Sequence, residues 1–119
     1  MRGLVIVVTE PVPARLRAAL TMALAAQALG GTARLFLEAE AVSLLAQPSL
    51  AGDAPREAAG LPTARQLLDE AFDAGIRVTL CQSGLALSGL HADALDPRFD
   101  YGGMTGLLAG LNDDRLVLA

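Results

Sequence analysis

Cys81 and His91 are the only cysteine and the only histidine in the chain, and they are the side chains best suited to nucleophilic and acid–base work. Cys81 closes the run Ile76-Arg77-Val78-Thr79-Leu80-Cys81 and precedes Gln82-Ser83-Gly84-Leu85-Ala86-Leu87, a segment suited to a short helix. A sulfur where a strand hands over to a helix faces unpaired amide N–H groups and the positive end of the helix dipole, and both favour the anion. Gln82, Ser83 and Gly84 supply those amides. Thiolate is the nucleophilic form, so this position can accept a sulfur atom and pass it on. His91, within Ser88-Gly89-Leu90-His91-Ala92-Asp93, is a candidate partner for the thiolate or a proton carrier. Thr9, Glu10 and Glu38 fall at the ends of the first two strands and share the same edge, where the two carboxylates would oppose a further negative charge. Against these roles stand plainer ones: a cysteine is often a small apolar filler, and a lone loop histidine is usually solvated.

Other chemistries are excluded or disfavoured. One cysteine and one histidine do not make a structural zinc site, so no metal is expected. The chain has no lysine, hence no phosphate-binding Gly-x-x-x-x-Gly-Lys-Ser/Thr loop. Thr9-Glu10-Pro11 stands after the first strand where a dinucleotide site would have its glycines, and no cofactor is expected. Gly102-Gly103-Met104-Thr105-Gly106 either cradles an anion through backbone amides or forms a tight turn, and the turn is the reading taken. Asp113 and Asp114 read as a solvated turn. A net charge of −4 disfavours nucleic acid as a partner. No apolar stretch approaches the roughly 18 residues a membrane span requires, and no basic run offers a membrane surface an attachment point. A single cysteine forms no disulfide within the chain, which fits a reducing cytoplasm.

The elements that must position Cys81 follow from hydrophobic patterning. Leu4 to Thr9 is an unbroken, β-branched run, as expected of a strand covered on both faces. Pro11 and Pro13 open a helix along which Leu16, Leu20, Leu24 and Ala28 recur, with Arg15, Arg17 and Gln27 off the stripe and Gly30-Gly31 ending it. Ala33 to Glu38 is the second strand, and Ala39 to Gln47 a short helix. The segment 48–61, rich in Pro, Gly, Asp and Ser, predicts a loop. Thr63 and Gln66 have capping-box spacing ahead of Leu67, Leu68, Ala71 and Phe72. Ile76 to Cys81 is the third strand, 98–101 offers one more short strand, Met104 to Leu111 is a last helix closed by Asn112, and Arg115 to Leu118 is the final strand. Alternating strands and helices over 119 residues predict one α/β domain, a three-layer α/β/α sandwich on a mostly parallel sheet of four to five strands. With 3% aromatic residues, its core must be aliphatic.

Three segments in this order resemble the DsrE/DsrF-like sulfur-relay family, and within it the TusD-like members. They are Leu4-Val5-Ile6-Val7-Val8-Thr9-Glu10-Pro11 with the following helix and Leu35-Phe36-Leu37; Gly75-Ile76-Arg77-Val78-Thr79-Leu80-Cys81 with the small-residue helix to Gly89-Leu90; and Gly106-Leu107-Leu108-Ala109-Gly110-Leu111 into Asp114-Arg115-Leu116-Val117-Leu118. The resemblance implies a doubly wound sandwich. It also implies assembly into trimers, hexamers or hetero-oligomers, and a persulfide on the cysteine that matches Cys81. Sulfur donor and acceptor proteins would be the partners, and the chain would be a cytoplasmic sulfurtransferase. The alternative within the same family is a non-catalytic oligomeric binding or assembly module.

Overall fold

The apolar runs become the strands of a single sheet: β1 (Leu4–Val8), β2 (Ala33–Leu37), β3 (Arg77–Cys81), β4 (Asp100–Gly102) and β5 (Arg115–Leu118). The computed structural model describes all 119 residues. The strand order is β4-β3-β2-β1-β5, and every pairing is parallel. Parallel neighbours need a crossover between them. The crossovers hold α1 (Pro13–Ala28), α2 (Asp53–Ala58), α3 (Ala64–Asp73), α4 (Gln82–Ser88), α5 (Met104–Ala109) and the 3₁₀ segments Ala39–Ala46 and Ala92–Ala94.

From β1 the chain steps through β2 and β3 to β4 in one direction, then crosses back to place β5 beside β1. Right-handed crossovers therefore set α1 and α3 on one face and α5 on the other. Helices cover both sides of a five-stranded parallel sheet, as the patterning predicts, but the layers are unequal. α1 and α3 pack against each other over the first face. On the second lies α5, six residues with none buried. Arg34 of β2 marks that face: it donates to the carbonyl of Gly110, just past α5, and pairs with Asp114 at 3.2 Å.

The core follows from the burial of β1 to β3. Val5 to Val8, Leu35 to Leu37, Val78 and Leu80 are all sealed from solvent, which explains continuous apolar runs in place of alternation. α1 adds Leu16, Ala19, Leu20, Ala23 and Ala26, a stripe at spacings of three and four. This stripe corrects the four-residue repeat read from sequence: Leu24 is half-buried, Ala28 is exposed and Arg17 is inside. The capping box of α3 forms as expected, with Gln66 N donating to Thr63 Oγ1 at 3.2 Å and Thr63 N to Gln66 Oε1 at 2.8 Å.

The segment 48–61 is a second correction, since it contains α2 and is not simply a loop. Its breakers fall where a helix tolerates them. Gly52 adopts φ 89 at the N-cap, and Pro55 sits in the first turn, where its missing N–H has no partner to lose. Asp53 holds the segment down. Its carboxylate accepts from Leu50 N at 2.8 Å, Ala64 N at 3.1 Å and Arg17 Nη2 at 2.6 Å, joining α1, α2 and the start of α3. β4 begins at Asp100, slightly beyond the start expected, and the last helix ends at Ala109, where Asn112 takes φ 49 to turn the chain into β5.

Candidate functional site

The carboxyl ends of the five strands form one edge, and Cys81 stands at the end of β3, between β2 and β4. It belongs to two elements at once. It is the last residue of β3, paired in register with Gly102 of β4, and the N-cap of α4 with φ −63 and ψ 124. Its side chain caps no backbone amide. Strand alternation places it on the face of Thr79 and Arg77, toward the α5 layer. On that face a cleft of about 240 Å³ opens, bordered by Phe36, Thr79, Gly102, Gly103 and Leu107. Cys81 lies one step past Thr79 along β3, and it is 9% exposed. Its β4 flank carries the bare backbone of Gly102 and Gly103, and a Cβ built at Gly103 meets nothing within 4 Å.

Gln82 and Ser83 form the exposed first turn of α4, directly after Cys81. Gly84 is buried, and the room it leaves is filled: a Cβ there would collide with the carbonyl of Ala39 and stand 2.7 Å from Val42. α4 thus rests on the 3₁₀ segment Ala39–Ala46 through a glycine contact. Ala39 itself takes φ 48, a left-handed conformation that an alanine adopts at a cost. That strained residue turns the chain from the end of β2 into the segment that supports α4, next to Cys81's own neighbour strand.

The other residues singled out from sequence scatter along the edge. Thr9 follows β1, two strands from Cys81, about 10 Å away at the usual strand spacing. Its hydroxyl donates to the carbonyl of Ala119 at 3.2 Å, tying the ends of β1 and β5 together. Glu38 follows β2, adjacent to β3, and is half-buried. Glu10 turns to Arg15 at 3.8 Å. His91 is exposed and lies beyond α4, whose seven residues span about 10 Å. Its backbone carbonyl accepts from Ala94 N, and no hydrogen bond joins the imidazole to Cys81. The structure therefore brings Cys81, Gln82, Ser83, Gly102 and Gly103 together, and leaves Thr9 and His91 apart from them.

Sequence reasoning missed the buried Arg17–Asp53 pair and the glycine contact of Gly84 beside Cys81. Gly84 carried a signal, a glycine inside a helix pattern, but not which neighbour required it. Asp53 carried none, being one acidic residue in a segment that reads as loop.

A family model described as DsrE/DsrF-like family matches residues 2–118. Among solved structures, the ychN protein from E. coli superposes with a TM-score of 0.73 at 20% identity, covering 100% of both chains. MTH1491 from Methanobacterium thermoautotrophicum, described as a protein of unknown function, gives 0.69 at 18% identity, again over 100% of both. At these identities the likeness speaks for the fold alone. No curated protein matches the chain.

Proposed function

The chain belongs to the DsrE/DsrF-like family, and from that premise we propose that it is a sulfur-relay protein, a sulfurtransferase that carries a persulfide on Cys81. The thiolate of Cys81 attacks the outer sulfur of a donor protein's persulfide. The donor's S–S bond breaks, the donor leaves as a thiolate and takes up a proton, and Cys81 holds the sulfane sulfur. An acceptor thiolate then attacks that outer sulfur, and Cys81 leaves as thiolate. No external oxidant or reductant enters, because the sulfane sulfur moves with its bonding partner exchanged. Gln82, Ser83 and Gly84, the first turn of α4, border the carried sulfur, His91 serves as a proton carrier once a partner is docked, and Thr9 borders the acceptor's path along the strand ends. A carrier thiol needs a reducing compartment, so the cytoplasm is its proposed location.

One observation carries this reading: Cys81 ends β3 and begins α4 with its sulfur uncommitted to any cap. The test is mass spectrometry after incubation with a persulfide donor. The intact chain should gain one sulfur atom, and Cys81→Ser should gain none. Equal labelling of both would remove Cys81 from the reaction.

The 9% exposure of Cys81 favours a second reading, a non-catalytic assembly module in which the thiol is packing. The two differ in reactivity. Iodoacetamide should alkylate Cys81 in the folded carrier well before unfolding, whereas an assembly module would label only at the rate of global unfolding.

In either reading we propose that the chain forms a homo-oligomer through α5 and β5. Leu108, Leu116 and Leu118 are 48%, 44% and 69% exposed, and β5 is an edge strand. A donor or acceptor protein would dock at the carboxyl ends of the strands near Cys81.

A further inference from the structure

We propose that the groove between α1 and the Leu61–Pro62 turn binds a small aliphatic carboxylate, with the head group held by Arg17 and Arg56. The groove has a volume of about 700 Å³ and is lined on the α1 side by Ala14, Ala18 and Met22 and opposite by Leu61, Pro62 and Leu67. Met22 is 39% and Leu61 56% exposed, so an apolar chain laid there covers side chains that otherwise face water.

Two guanidinium groups border this apolar surface. Asp53 neutralises that of Arg17. Arg56 forms no ion pair, and its Nη1 donates to the carbonyl of Gly52 at 3.1 Å. Of the two guanidinium charges at this groove, one is left without a partner. Arg17 is itself under-used. Its side chain is 6% exposed, Nη2 makes both of its hydrogen bonds, and Nε is the one buried side-chain polar atom without a partner. Buried polar atoms are nearly always paired. The two Nη1 atoms converge on Gly52, each 3.0 Å from where a Cβ would stand, so they lie no more than about 6 Å apart, and any side chain at this residue of φ 89 would press on both. A carboxylate accepting at ~2.9 Å from each of two donors spans such a gap.

The charge count selects the ligand class. One uncompensated cation balances a monoanion, and the apolar walls select an aliphatic body over a sugar or nucleotide. Glu57, Asp69 and Glu70 line the depression on the far side of Leu61 and Pro62 and turn an anion back toward α1.

The experiment is calorimetric titration of the full chain with octanoate and, separately, octanamide. Octanoate should bind at one site, and octanamide about tenfold more weakly. Arg56→Gln should lower octanoate affinity about tenfold and leave octanamide unchanged, while Arg65→Gln, on the neighbouring helix, changes neither. Met22→Glu should abolish both, and thermal melts of each variant check that the fold persists. Absence of saturable binding by the wild type, equal affinity for acid and amide, or full affinity in Arg56→Gln would each overturn the proposal.

Discussion

Asp53 shows how one side chain can fix the architecture around a segment that reads as loop. The Arg17 hydrogen bond, helped by the amides of Leu50 and Ala64, outweighs burial and lowers its pKa from 3.8 to about 2. The folded-state value lies below the unfolded one. The stabilisation is therefore complete above about pH 4 and disappears as the pH falls through about 2, an effect of roughly 2 kcal/mol. Asp96, lowered to about 2 by its bonds to Arg98, titrates in the same window. Urea denaturation between pH 5 and 2, spanning about three units, should show stability falling toward acid, with a shallower fall in Asp53→Asn. An unchanged slope in that variant would place the acid sensitivity elsewhere. At neutral pH Asp53→Ala should cost about 3–5 kcal/mol, because it strands the Arg17 charge inside the protein. Adding Arg17→Leu should restore part of the loss, the remainder being the orphaned amides of Leu50 and Ala64.

At the scale of elements, α4 packs on the 3₁₀ segment with its tightest contact at Gly84, against the Ala39 carbonyl and Val42. Gly84→Ala raises helix propensity yet has no room for its methyl group, so the steric term wins. The expected result is a loss of roughly 1–3 kcal/mol in urea denaturation, together with faster alkylation of Cys81 as α4 lifts from its support. A more stable Gly84→Ala protein would mean that α4 is free to shift and that the contact is unimportant. The same contact marks the limit of what the sequence makes legible. Strands β1, β2, β3 and β5 and helices α1 and α3 are readable because each carries its own period, its breakers and, for α3, the Thr63–Gln66 box. Cys81 at a strand-to-helix junction is readable for the same reason. α2 is not, because its six residues owe their helix to a remote partner, Arg17, and not to a local pattern. Nor is the separation of His91 and Thr9 from Cys81, since that depends on strand order and on the length of α4, which no spacing encodes.

The whole molecule has a lopsided sheet. Its α1–α3 face is covered by two long helices, whereas α5 lies on the other with six residues, none of them buried, and β5 has the burial pattern of a surface strand. The register of β1 with β5 puts Leu116 beside Val5 and Leu118 beside Val7. β1 in turn aligns Val5 with Arg34 and Val7 with Phe36, so Leu116 and Leu118 lie on the α5 face. They make an apolar strip along an unpaired strand edge, the arrangement that natural proteins blunt or cover. In the proposed homo-oligomer a second copy would cover it, one patch meeting the same patch across a two-fold axis. Analytical ultracentrifugation should therefore find an assembly at micromolar concentration, and Leu116→Arg with Leu118→Glu should yield a monomer. Each substitution lies at a solvent-facing position of an edge strand, so the monomer should keep its fold, losing no more than about 1 kcal/mol by thermal melt beyond what dissociation removes. Persulfide loading of Cys81 separates the consequences. The residue sits at the end of β3, two strands from β1 and three from β5. A monomer that still loads one sulfur would show that the carrier site is complete within a single chain. A monomer that fails to load would show that the partner copy supplies part of it. A wild-type chain that sediments as a monomer would leave the exposed leucines of α5 and β5 to a different protein.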